Sequence, residues 1–217
     1  MERAPEPTFL EGCVEIATMM LTEVARVPEA VLPVQAMKDH LRLGTGFSSD
    51  GIQDSLLAGY LRAALAVVEG RTGKALLTRS FVFRVERWRS IGAAQTLPVA
   101  PVVSVNSLVI VDGSGVKALV DALKWRFVPD LSRPRIEGIG GLPTIPEGGG
   151  VEIHFDAGFG ATWSEVPPDL AQAVLLLSAE YYEQRHSGGD EGNTLPLPVR
   201  SLIERWRTVR VLGGGSA

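Results

Sequence analysis

Apolar residues recur three and four positions apart from Ile52 to Val68: Ile52, Leu56, Leu57, Tyr60, Leu61, Ala64, Leu65 and Val68. Gln53, Asp54, Arg62 and Glu69 lie mostly off that stripe. The spacing predicts an amphipathic helix over 52–70 with one face on a core. Ser49 or Asp50 just before it can accept hydrogen bonds from the first free amides. Gly70 and Gly73 fit its C-terminal end, where a left-handed residue is favoured. The same period predicts helices at 34–43 (Val34, Met37, Leu41), 168–186 (Leu170, Ala173, Val174, Leu177, Tyr181) and 199–211 (Val199, Leu202, Ile203, Trp206, then Val209 or Arg210). Pro168 suits a first helical position, because its missing amide would be unpaired there anyway. Leu10, Cys13, Val14, Ala17, Leu21 and Val24 form a further stripe over 10–25. That stripe predicts a peripheral helix, with a disordered leader as the alternative. Pro28 and Pro33 interrupt it.

From Thr78 the period changes to two. Phe81, Phe83 and Val85 alternate with Val82, Arg84 and Glu86, which predicts a half-buried strand. Further β runs stand at Val102–Val111, Trp125–Val128, Arg133–Ile136 and Val151–Phe155, separated by turn-forming pieces such as DGSG and GIGGLPTIPEGGG. The fold class expected is α+β: a small bundle of helices with an antiparallel β insertion over 79–156 and a C-terminal helix. Residues 1–32 are an N-terminal extension, 33–212 the main domain and 213–217 (GGGSA) a loose tail.

Composition narrows the chemistry. A net charge of −4 argues weakly against DNA binding over the whole surface, though not against a local basic patch. The single cysteine, Cys13, rules out an internal disulfide. Apolar runs such as Ala173–Leu177 are far short of the roughly 18 residues that span a bilayer, so no membrane partner is expected.

No catalytic set assembles from the residues. GRTGKA at Gly70–Ala75 resembles a phosphate-binding loop, but Val68 stands where the first glycine is needed and Ala75 where the hydroxyl is needed. Lys74 is therefore assigned to solvent or to a neighbouring subunit. His40, His154 and His186 have no partner at a metal spacing, and His154 reads as an outward-facing strand residue. Glu180 and Glu183 read as a solvated helix face beside Arg185. Neither cofactor nor metal is expected, and no enzyme activity. The clearest charge asymmetry is Arg200, Arg205, Arg207 and Arg210 against the single Glu204. It is a solvated face, a docking surface for an acidic partner, or a nucleic-acid contact. Trp206 suits either an interface anchor or the core.

Four ordered segments carry a resemblance to a known family. They are PVQAMKDHLRL (Pro33–Leu43), AALAVVEGRTGKALLTRSF running on to VERW at Trp88, APVVSVNSLVIVDGSG (Ala100–Gly115), and FDAGFG (Phe155–Gly160) with VPPDLAQAVLLLSAEYYEQR and LPLPVRSLIERWR to Arg207. Over about residues 33–210 the chain resembles the head–tail connector (adaptor) family of tailed phages, including the corresponding protein of bacterial gene transfer agents. The loop 112–150 is longer than that family's minimum. The resemblance implies a structural protein of the particle's head–tail junction, assembled in the bacterial cytoplasm. It implies a homo-oligomeric ring, typically a dodecamer, beneath the portal protein. The ring joins the portal to a stopper or tail-terminator protein and lets DNA pass through its lumen without specific binding. Within that frame Arg200, Ile203, Arg205, Trp206, Arg207 and Arg210 are the candidate portal-binding residues. The alternative is a nucleic-acid-binding module built on the same basic helix.

Overall fold

The computed structural model describes residues 19–43, 51–89, 94–184 and 195–207. Its fold class is α+β, as the periodicities predict. The chain runs β1 (Met19–Glu23), α1 (Val34–His40), α2 (Gly51–Thr72), β2 (Arg79–Val85), β3 (Ala94–Thr96), β4 (Val102–Val111), β5 (Lys117–Leu119), β6 (Trp125–Val128), β7 (Arg135–Gly138), β8 (Gly150–Ala157), α3 (Pro168–Glu183) and α4 (Leu197–Ile203). Strands β2 to β8 are therefore inserted between the two long helices.

There are two cores. In the helical one, Leu57, Leu61, Ala64, Leu65 and Val68 of α2 meet Leu170, Ala173, Val174 and Leu177 of α3, with Met37 of α1 and Val199 and Ile203 of α4. The stripe read from the sequence is the buried face. In the other core, a five-stranded antiparallel sheet of order β1-β2-β8-β4-β5 is joined by a three-stranded sheet of order β3-β7-β6. Central strand β8 alternates cleanly: Val151, Ile153, Phe155 and Ala157 are buried, while Glu152, His154 and Asp156 are half-buried on the other face. Phe155 sits opposite Phe81, and their rings stack 5.6 Å apart.

Three sequence expectations change. Residues 19–23 are not helical. They pair with β2 in the register Met19↔Val85 to Glu23↔Phe81, and their residues are mostly exposed, as fits an edge strand. The unpaired edge of β2 overrides a weak helical stripe there, since it offers a row of backbone partners. Residues 10–18 of the helix expected over 10–25 lie outside the described residues, as do the cap at 48–50, His186 and the tail. Gly70 lies inside α2. Gly73, with φ +67°, is the residue that ends it, its amide bonding the Glu69 carbonyl. Strands β3 and β5, three residues each, carry too little periodicity to be read from sequence.

The loop 112–150 contains β5, β6 and β7 and builds most of the second sheet. Asp112 caps its first turn, accepting from the amides of Ser114 and Val116.

Candidate functional site

The C-terminal segment closes over the start of α3. Pro196 and Pro198 open α4 two residues earlier than the apolar stripe suggests. Of the helix expected over 199–211, the described part is α-helical only to Ile203, and residues 208–211 lie outside the described residues. After Ile203 the chain tightens into a 3₁₀ turn at Glu204–Trp206, and Arg207 is extended. The tightened turn brings the Trp206 indole N–H to Asp169, donating to Oδ2 at 2.7 Å. The indole meets Phe159 edge to face, with ring centroids 5.4 Å apart. Arg205 lies over the indole at 4.8 Å and its Nε reaches the same Asp169 oxygen at 2.6 Å.

Asp169 stands in the first turn of α3, where the helix dipole favours a carboxylate. Burial would raise its pKa. The hydrogen bonds from Trp206 and Arg205 outweigh that and hold it below the ordinary carboxylate value.

The six residues expected at the portal face thus divide. Ile203 is 1% exposed and belongs to the helical core. Trp206 is half-buried against Phe159 and Asp169. Arg200, Arg205 and Arg207 are exposed, with Arg207 paired to Glu204 at 3.2 Å. Arg210 lies outside the described residues. The sequence did not reveal Asp169 and Phe159 as partners of Trp206. The one available signal was an acidic residue right after the paired prolines.

Lys74 corrects another expectation. It is 2% exposed, held neither for solvent nor for a subunit. Its ammonium donates to the Leu131 carbonyl and to Ser132 Oγ, tying the end of α2 to the loop before β7. Burial pushes its pKa down, and the charge of Asp130 partly restores it. Val68 and Ala75, the two positions that fail the phosphate-loop pattern, are both core residues.

A second network joins the two cores. Glu69 of α2 and Arg79 of β2 form a two-pronged pair, at 3.0 and 2.6 Å. Glu69 also accepts from the Leu76 amide at 2.7 Å, and Arg79 donates to Glu23 of β1 at 2.8 Å. Burial alone would lower the Arg79 pKa, but Glu69 and Glu23 hold it above its ordinary value.

Among the described residues no group of three histidine, cysteine or acidic side chains could hold a metal. His154 faces outward from β8, 3.7 Å from Glu152. Glu180 accepts from Gln184, and Glu183 is exposed. No described helix is long and apolar enough to cross a membrane. What the surface does offer is apolar area around edge strand β5: Val116, Leu119 and Leu123 are 63%, 74% and 81% exposed. Such a patch marks an interaction surface more often than a free one.

No family model matches the chain, and no curated protein matches it. Solved structures do. One similar chain, 58% identical with TM-score 0.81, belongs to the "Neck of empty GTA particle computed with C6 symmetry". Another, 54% identical with TM-score 0.76, belongs to the "Neck of native GTA particle computed with C12 symmetry". A third, 58% identical with TM-score 0.78, belongs to the "Virion of native gene transfer agent (GTA) particle". Each match covers 90% of this chain and 98% of the other.

Proposed function

The chain belongs to the neck proteins of gene transfer agent particles, and we propose that it is the adaptor of such a neck: a structural subunit whose ring sits beneath the portal, joins it to the tail side and lets DNA pass. The observation that carries this is the likeness over nearly the whole length of a neck chain at 58% identity. Sixfold and twelvefold symmetry in the necks holding the similar chains supports a ring of copies. A ring requires a heterologous interface, one face of each subunit meeting a different face of the next. The exposed apolar residues around β5 are a ready candidate for one such face.

The portal contact is assigned to the C-terminal segment. Ile203 and Trp206 anchor it on the helical core and Arg205 is held on Asp169, which leaves Arg200, Arg207 and the following Arg210 to meet an acidic surface. The net charge of −4 suits a lumen through which DNA slides without the many phosphate contacts that make binding tight and salt-sensitive.

Electron microscopy of the protein mixed with the portal of its own particle tests this. The expected result is a ring of this chain at the portal's narrow end. The pair Arg200→Glu and Arg207→Glu should prevent docking while leaving thermal unfolding unchanged. A chain that ignores portal and instead binds duplex DNA with a steep salt dependence would favour the nucleic-acid reading.

A further inference from the structure

Beside the end of α2 lies a cleft of about 800 Å³. Arg71, Arg89, Arg133 and Arg135 line it together with Phe83, and no carboxylate does among the described residues. Arg135 is held by Glu137 at 2.8 Å. Arg71 and Arg89 are exposed and form no ion pair with a described residue. Arg71 and Arg89 thus leave a local positive field at one concavity, in a chain of net charge −4, that an anionic ligand would relieve.

Met19, the first residue of β1, also lines this cleft. Successive Cα atoms are only about 3.8 Å apart, so the chain preceding Met19 must start at the cleft's rim. That preceding stretch, residues 1–18, carries Glu2, Glu6, Glu11 and Glu15 against the single Arg3. We propose that the arginine cleft receives the chain's own acidic N-terminal segment, residues 1–18.

Charge and connectivity both favour this occupant. Carboxylates match the guanidinium fork in two-pronged hydrogen bonds. Tethering at Met19 also makes the contact intramolecular, so the segment meets the cleft at a high effective concentration. DNA phosphates share the needed charge, but nothing tethers them to this cleft. The proposal rests on the cleft and the segment, not on the adaptor reading, and its test uses neither portal nor particle.

Cys13 is the chain's lone cysteine and lies within the segment, so it accepts a single photo-cross-linker on the full chain. A benzophenone at Cys13 should cross-link within its own chain, at residues 71–73, 94–98 and 132–135. Arg71→Glu with Arg89→Glu should cut that yield several-fold without changing the melting temperature. Glu11→Lys with Glu15→Lys, added to that pair, should restore it. Cross-links scattered elsewhere, cross-links between isotopically distinct copies, or a yield indifferent to the charge reversals would overturn the proposal. So would a fluorescent DNA duplex that binds the full chain through Arg71 and Arg89 and abolishes the cross-link.

Discussion

The Trp206 indole N–H donates to Asp169 Oδ2 at 2.7 Å, closing a contact between residues 37 positions apart. It latches the end of the described chain onto the first turn of α3. Asp169→Ala should cost about 1.5–3 kcal/mol, the range for a hydrogen bond to a charged partner. Trp206→Phe, which removes the donor together with part of the ring that meets Phe159, should destabilise as well. Urea unfolding measures both. Hydrogen exchange should show faster opening of 197–206 and little change in the sheets.

The same carboxylate makes the latch pH-dependent. Its folded pKa lies below the ordinary value, so its contribution is fully present above about pH 3.9, the unfolded value, and is lost as the pH falls through the lower folded one. The stability difference between the parent chain and Asp169→Asn should therefore be constant near neutrality and shrink in acid. A difference that grows on acidification would contradict this.

Glu69 and Arg79 are 13% and 11% exposed in their side chains, so removing one leaves the other charge largely buried. Glu69→Ala should cost about 3 kcal/mol or more. Arg79→Lys should also destabilise, because an ammonium cannot reproduce the two-pronged pair. A double-mutant cycle in denaturant would isolate the coupling, expected to exceed that of any exposed pair.

Two glycines should respond oppositely to alanine. Gly158, in the FDAGFG motif, has φ +147°, and a Cβ there would lie 2.3 Å from Thr78 Cα. The chain leaving β8 passes directly against the entry to β2, so Gly158→Ala should cost several kcal/mol or prevent folding. Gly70, exposed inside α2 with nothing near its missing Cβ, should gain about 0.5–1 kcal/mol as alanine. Thermal melts of the two variants check this.

Lys74→Met keeps the packed stem but removes the bonds to Leu131 and Ser132. It should cost about 1–3 kcal/mol near neutral pH and loosen the 129–133 loop. Since burial lowers the folded pKa, the Lys74 contribution rises with pH towards the ordinary lysine value of about 10.4. The parent chain should therefore gain stability relative to Lys74→Met as the pH is raised.

Periodicity by itself determined the two long helices, the inserted antiparallel strands and the α+β class. The stripe from Leu57 to Val68 and the alternation from Phe81 to Val85 each report one buried face, and burial is a local demand repeated at a fixed period. The failure of GRTGKA as a phosphate loop was also legible, at Val68 and Ala75. What the order of residues could not carry were the long-range pairings. Whether Lys74 meets solvent or Leu131 depends on a loop 57 positions away. Whether residues 19–23 are helix or strand depends on a free edge of β2, and whether the last helix runs on past Ile203 depends on Asp169 waiting for Trp206. In each case a backbone or charged partner brought in by tertiary folding outweighs a local preference of a few tenths of a kcal/mol per residue. The helices and strands were written in the chain; their latches were decided in three dimensions.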